Sequence, residues 1–453
     1  MHIKTKRIIS VIGLVLLVLT NLQSATAVPG RTIRISVSSS MAQANFWSMN
    51  PAISADGRFI AFDSVADNLV ANDTNGRGDV FLRDRNTGQT TRVSIASNGI
   101  EGNEPSYRPG ISNDGNVIAF VSLATNLVLG DTNNRGDIFV HTRSTGETKR
   151  VSIASNGDQA NGASNHPAIS GDGRYVAFTS EATNLVAGDS NNAMDIFVHD
   201  LQDGITTRVS VDSDGAQANG DSWWRVAISE DGRYVAFSSA ATNLVSGDTN
   251  GSSDIFRHDR ITGETIRISL TFEGSEVNSG SINPSISADG NLIAFESSAT
   301  NLVSGITNWY GDIFVRDVLA SQTVRVSISS NGLETNDNSF FPKISADGRF
   351  VSFESYATNL VDGDTNGVLD IFTHDRMTGV TNRISVSTLG VEGNGSSFYG
   401  HAISDDGRFV AFGSEASNLV PGDTNGHADI FLHDQNYESD ETVLLFLPLI
   451  LKP

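Results

Sequence analysis

The chain contains no cysteine. Disulfides, thiolate metal sites and cysteine nucleophiles are excluded, and so is a lipid-modified N-terminal cysteine. Basic residues are scarce: 30 Lys and Arg stand against 52 Asp and Glu, a formal net charge of −22. So acidic a chain lacks the basic stripe that phosphate binding and counterion release require, which argues against nucleic acid as a partner. No stretch after residue 30 carries a convincing helical period, and the marks of common catalytic machineries are missing. There is no Gly-x-Ser-x-Gly elbow, no His-Glu-x-x-His pair and no phosphate loop. Apolar residues nevertheless recur regularly along the chain, which argues against disorder. The length of 453 residues suits one large all-β domain or about three ordinary ones.

The two ends read differently from the middle. Lys4, Lys6 and Arg7 precede the apolar run Ile8–Thr20, and Ala25-Thr26-Ala27 fits a small-x-small cleavage site. Residues 1–27 are therefore expected to be an export signal, and the mature protein to be secreted, at the cell surface or in the periplasm. At the other end, residues 436–453 join an acidic linker to the apolar stretch Val443–Leu451. Nine residues cannot cross a bilayer as a helix, and Pro448 interrupts a helix or central strand. The tail is a candidate for retention at a membrane or cell surface, or for packing on the domain edge.

Between the ends lies a seven-fold repeat. The phrase Ile-Ser-x-Asp-Gly begins at Ile53, Ile111, Ile169, Ile228, Ile286, Ile344 and Ile403, in steps of 58 or 59 residues. Each unit contains four strand-like pieces. In the first these are Pro51–Ser54, then Arg58–Phe62 after an Asp-Gly turn, Asp79–Leu82 after a long loop, and Thr91–Ile95 after a turn ending at Gly88. Four antiparallel strands per repeat predict a β-propeller of seven four-stranded blades. The Thr-x-Arg-(Val/Ile)-Ser fourth strand is missing after the seventh Asp-Gly unit, but a copy stands at Thr32–Ser36. Strand 31–38 is therefore expected to join the last blade and close the ring over residues 31–435, because an open ring exposes unpaired edges. A monomer is expected.

The Ser-x-Asp-Gly-(Arg/Asn)-x-(Ile/Val)-Ala-Phe phrase, with its Asp-Ile-Phe strand and Thr-Gly turn, resembles the TolB-like, WD40-like (PD40-type) propeller repeat of exported bacterial proteins. The resemblance covers residues 31–435. It implies the fold, and it implies a range of roles: scaffold, peptide or partner binder, or accessory domain of a peptidase or lyase.

Strand direction alternates, so the two long connections of every blade emerge on one face and the two tight turns on the other. Binding is expected on the long-loop face. One loop phrase there is Asp-x-Asn-x-x-x-Asp: Asp73/Asn75/Asp79, Asp131/Asn133/Asp137, Asp189/Asn191/Asp195, Asp248/Asn250/Asp254, Asp364/Asn366/Asp370 and Asp423/Asn425/Asp429. Such oxygen-rich loops can wrap Ca2+, or can build Asx turns and accept amide bonds. Blade five has Ile306 in place of the first Asp, yet keeps Asn308 and Asp312, and carries an aromatic outlier, Trp309-Tyr310, where a turn device is expected to have been replaced. His141, His199, His258, His374 and His433 share one repeat position with Arg83 and Arg316. Interchange with Arg excludes a metal role and suggests a partner for the adjacent Asp or a strand-end cap.

What differs between blades can make a specific site. The variable positions precede Ile-Ser: Tyr107, Arg108, His166, Trp223, Trp224, Arg225, Phe340, Phe341, Tyr399 and His401. They are expected to ring the mouth of the central channel, where aromatics and Arg suit a protein, peptide or glycan; wedging between blades is the alternative for each aromatic. The expected function is a non-enzymatic binding module. A polysaccharide lyase or hydrolase working in the channel, and a purely structural surface-assembly protein, remain the other classes.

Overall fold

Asp-Gly turns, strand alternation and paired phenylalanines together dictate the architecture. The computed structural model describes residues 30–436 except Tyr399, and Trp224 without its side chain; the expected export signal and the apolar tail lie outside the described residues. There are seven four-stranded antiparallel sheets. The first comprises Ser48–Ile53, Phe59–Ser64, Asp79–Asp84 and Gln89–Arg92, from the axis outward. Five residues join the first two strands and four join the last two, whereas the other connections are long. Long loops therefore share one face and tight turns the other.

The repeated motifs have packing reasons. Phe62 and Phe81 lie opposite one another on neighbouring strands, fully buried, with ring centroids 5.9 Å apart. Each such side chain contributes about 1.5–3 kcal/mol by burial. The same pair recurs in all seven blades, down to Phe412 and Phe431 at 5.9 Å. Each blade then packs its flat face on the next: Ala61, Val80 and Leu82 of blade one meet Ile118, Phe120 and Phe139 of blade two. The Asp-Gly turns need glycine for space as well as for conformation. Gly232 has φ +70°, and a Cβ there would come within 2.1 Å of the Tyr175 ring in the preceding blade.

The ring closes as expected, but the closing strand is shorter than 31–38. Arg31–Arg34 pairs antiparallel with Asp429–Asp434. After it, Ile35 N–H and Ser36 N–H both donate to the carbonyl of Ile430, which bends the chain out of register. Val93 and Ser94 do the same at Val80 in blade one, so the outer strand there stops at Arg92. The junction is as well made as the other six. Ile35, Ala411, Ile430 and Leu432 of blade seven form one core with Ile60, Phe62 and Phe81 of blade one. The Thr32 hydroxyl donates to Val386 O, as Thr90 does to Val37 O, Thr148 to Ile95 O and Thr381 to Ile328 O.

That threonine corrects the expected histidine pairing. His141, His199, His258 and His374 place Nδ1 2.8–2.9 Å from the hydroxyls of Thr148, Thr206, Thr265 and Thr381, and His433 Nδ1 lies 2.8 Å from the Thr32 hydroxyl. Each hydroxyl already donates its one proton to a carbonyl, so it accepts from Nδ1–H, which fixes the tautomer. The adjacent Asp instead takes an arginine: Asp200 accepts from Arg174, Asp259 from Arg233, Asp375 from Arg349 and Asp434 from Arg408.

Candidate functional site

The oxygen-rich loops form a cradle around an arginine. In blade four, Arg267 Nη1 stands 3.8 Å from Asp248, 3.3 Å from Asp254 and 2.7 Å from Glu276, three residues whose carboxylate oxygens converge within 4.8 Å. Arg92 sits likewise 3.2, 3.0 and 2.8 Å from Asp73, Asp79 and Glu101. Arg150 meets Asp131 and Asp137, Arg208 meets Asp189 and Asp195, Arg383 meets Asp364 and Asp370, and Arg34 meets Asp423 and Asp429. The asparagines turn their amide nitrogens inward. Asn75, Asn133, Asn191, Asn250, Asn366 and Asn425 donate to the second Asp of their phrase. The Asn75 carbonyl oxygen accepts the Arg77 N–H in an Asx turn.

This donor set fits a guanidinium better than calcium. Calcium requires oxygens at 2.3–2.6 Å, but the point of convergence holds Nη1 and the asparagines offer N–H. Blade five follows the same plan without its first Asp. Arg325 keeps Asp312 and Glu334, and Ile306 packs on the core. The aromatic pair has not displaced the turn, since Asn308 still accepts from Tyr310 N–H; Trp309 is exposed. Millimolar calcium is expected to leave the thermal midpoint unmoved. A rise of several degrees that chelator reverses would show an ion displacing the guanidinium.

The channel is where the blades differ. In six of the seven blades the innermost strand starts at the long-loop face with a bulge, whereas His401–Ile403 of blade seven pairs without one, and the innermost strands' residues form rings down the axis. The uppermost ring carries Asn50, Arg108, His166, Arg225, Asn283 and Phe341, completed by Gly400. Five of these, Asn50, Arg108, His166, Asn283 and Phe341, have φ between 49° and 56°, a strained conformation for bulky residues. Carboxylates on the second strands hold the bulges. Asp63 accepts from Asn50 Nδ2 and Arg108 N–H, both at 3.0 Å. Glu296 accepts from Asn283 Nδ2 at 3.0 Å and from Phe341 N–H at 3.4 Å. Burial pushes Asp63 up to about 7 and raises Glu296 as well. Below come Pro51, Pro109, Pro167 and Val226, then small residues interrupted by Lys343, then isoleucines.

The turn face blocks the channel. Backbone bonds run from blade to blade around the axis: Ala55 to Asn113, Asn113 to Gly171, Glu230 to Ala288, Ala288 to Ala346, Ala346 to Asp405 and Asp405 back to Ala55, with Asp172 to Glu230 completing the ring. Inside it the Asn113 amide reaches Glu230 of blade four at 3.1 Å and Asp405 of blade seven at 3.2 Å. Gly171 leaves room for this plug, since a Cβ would lie 2.6 Å from both Asn113 and Glu230. What remains is a blind cavity of about 390 Å³ opening among the long loops.

Of the residues expected at the channel mouth, Arg108, His166, Arg225, Phe341 and His401 line this cavity. Tyr107 packs instead on the core between blades two and three. Trp223 is partly buried, with Nε1 unpartnered. Phe340 lies between Phe341 and the exposed Tyr356, with ring centroids 6.2 Å from each. Tyr399 and the Trp224 side chain lie outside the described residues. Lys343, Asp63, Glu296 and Glu354 escaped the sequence reading; their signal is departure from the repeat. Lys343 stands where the other blades have Ala, Gly or Ser, and the three acids stand where others have Val121, Thr179, Ser238 and Gly413.

The cavity is chemically unfinished. Arg225 lies over the Phe341 ring at 4.9 Å; no hydrogen bond or ion pair joins it or Lys343 to another group among the described residues. Burial and the Arg225 charge push Lys343 down to about 7. Burial, Arg108 and Arg225 push His166 down to about 3. His166 Nδ1, both His401 nitrogens and Glu354 Oε1 are buried without hydrogen bonds; His401 Nδ1 stands 3.5 Å from that oxygen.

No protein-family model matches the sequence, and no curated protein matches it. Solved structures do. Oligogalacturonate lyase from Vibrio parahaemolyticus is similar at 12% identity and TM-score 0.51, over 89% of this chain and 98% of that one. The β-propeller domain of the Trilobed protease from Pyrococcus furiosus is similar at 12% identity and TM-score 0.52, over 89% and 99%. TolB from Acinetobacter baumannii is 19% identical with TM-score 0.40, and the match covers 74% of this chain but only 62% of that one. The lyase and protease-domain likenesses are of architecture alone, and they set the chain among the β-propellers.

Proposed function

We propose that this is an exported, non-enzymatic binding module that engages a protein, peptide or glycan through its long-loop face, with the blind channel as the specific site. The observation that carries the reading is the convergence of non-repeated side chains from several blades on one cavity, with their polar atoms left unsatisfied. Buried polar groups without partners cost about 1–3 kcal/mol each, and a ligand supplies the missing partners. Export rests on residues 1–27, whose charge and apolar pattern fit a signal. The run from exposed Tyr356 through Phe340 to Phe341 gives a partner an aromatic path into the cavity.

Retention of a peptide and glycan panel on the immobilised protein tests this, with Phe341→Asn as the comparison. Asparagine occupies the same left-handed position at Asn50 and Asn283, so the variant keeps the fold. It is expected to weaken binding at least tenfold with an unchanged melting midpoint. Unchanged binding would place the site elsewhere. Turnover of polyuronides or chromogenic peptides would overturn the non-enzymatic reading.

A further inference from the structure

We propose that the blind channel captures the C-terminal carboxylate of a polypeptide ending in apolar residues. The inference rests on the channel being the binding site, and it names the ligand.

Three observations point there. First, the ionisable residues that line the cavity are all of the basic types: Arg108, His166, Arg225, Lys343 and His401. This is unexpected in a chain of net charge −22. Of the neighbouring carboxylates, Asp63 and Glu296 secure bulges, while Glu354 is buried with Oε1 3.5 Å from His401 Nδ1; its charge acts on Arg225 and Lys343, but it makes no ion pair with either among the described residues. Most repeated arginines bind carboxylates or carbonyls, as in the loop cradles, whereas Arg225 and Lys343 bind neither. Only two lysines, Lys149 and Lys343, lie within residues 30–436, and one of them is on the axis. Two cations held beside one another with no carboxylate in ion-pair contact leave their donors open to an anion, and Arg with Lys supplies charge-assisted donors for one.

Second, the cavity has a floor. Asn113, Glu230 and Asp405 obstruct the axis at the turn face, so a chain cannot thread through and must present an end. A polypeptide's anionic end is its C-terminus. The acidic plug repels that carboxylate and leaves it at the level of Arg225 and Lys343. Third, the walls are apolar. Pro51, Pro109 and Pro167 offer no N–H, and Ile53, Ile111 and Ile169 lie beneath them. Such walls accept aliphatic or aromatic side chains but leave the hydroxyls of a sugar unpaired. The volume of about 390 Å³ falls at the small end of ligand pockets, enough for a terminus and not for a folded partner.

The test uses two pools of N-acetylated tripeptides with apolar side chains, identical except that one has free C-termini and the other amidated ones. Isothermal titration of the full-length protein is expected to show the acids binding at least tenfold more tightly than the amides. Lys343→Ala and Arg225→Asn restore residues that other blades carry at those positions, so both variants fold; each is expected to abolish the preference for acid over amide. Equal binding of the two pools, with loss on Phe341→Asn, would overturn the carboxylate proposal and leave the channel as the site. Oligogalacturonate binding with no tripeptide binding would do the same in favour of a glycan. No binding of either pool or of the glycan, or binding indifferent to all three substitutions, would overturn both readings.

Discussion

A chain lacking residues 31–36 is expected to lose most of its folding stability, a deficit on the order of the whole stability of an ordinary domain, about 5–15 kcal/mol. Three kinds of support go with those six residues. The antiparallel pairing with Asp429–Asp434 disappears, leaving an exposed, largely apolar edge of the kind that associates with other chains. Ile35, fully buried between blades seven and one, is lost from the junction core. The buried Asp429 loses the Ser36 hydroxyl and the Arg34 guanidinium, and His433 loses Thr32. Circular-dichroism melts and sedimentation check the outcome. The truncated chain should melt far below the parent or aggregate, and a synthetic peptide of residues 28–38 added in excess should restore part of the transition. A truncated chain that melts like the parent would show that the outer strand of blade seven is dispensable.

Arg267→Met is expected to cost about 3–5 kcal/mol at pH 7.5, because it leaves buried carboxylates without their cation while keeping side-chain volume. Its deficit should shrink on acidification, and the sign follows from the neighbouring groups. Burial, with the nearby Asp254 charge, holds Asp248 up at about 6 even beside Arg267, above the ordinary value near 3.9. The native state therefore takes up this proton before the unfolded state does, and its relative stability rises as pH falls from about 6 to 4. Glu276 works the other way: hydrogen bonds from Thr249 and Arg267 outweigh its burial and hold it down to about 2, so it favours the native state above pH 4 and loses that advantage on acidification. Without Arg267 the upward shift of Asp248 grows and the depression of Glu276 weakens. Urea unfolding at pH 7.5 and pH 5 measures both quantities. A deficit below 1 kcal/mol at pH 7.5, or one equal at the two pH values, would show that the guanidinium does not neutralise the cradle.

The fold was legible in the sequence because every blade repeats its own instructions. Asp-Gly marks the turn, Ala-Phe (Ser352-Phe353 in blade six) and Ile-Phe (Val80-Phe81 in blade one) mark the two strands whose rings meet, and the missing seventh outer strand at one end matches the extra one at the other. Local pairings were harder to read. Histidine and the next aspartate are adjacent on one strand, so their side chains point to opposite faces. The partner of the histidine is the threonine across the ladder, seven residues on in most blades. The loop phrase displayed its acids but not the arginine between them, since Asp254 and Arg267 meet only because their strands pair. In the channel, residues that break the repeat supplied the signal, and it was read where aromatics stood out and missed where Lys343 replaced a small residue.

Arg31–Arg34 and Asp429–Asp434 are hydrogen-bonded neighbours about four hundred positions apart. A chain delivered from its N-terminus presents one half of this contact first and the other half last. Six blades can stack as they emerge, each on its predecessor, while the leading segment waits without a mate. Contacts so distant along the polymer make assembly slow, and the waiting interval is when a neighbouring molecule's terminal segment could pair in its place. The docking of ends, which only a completed polypeptide can perform, is then expected to be the last event in maturation.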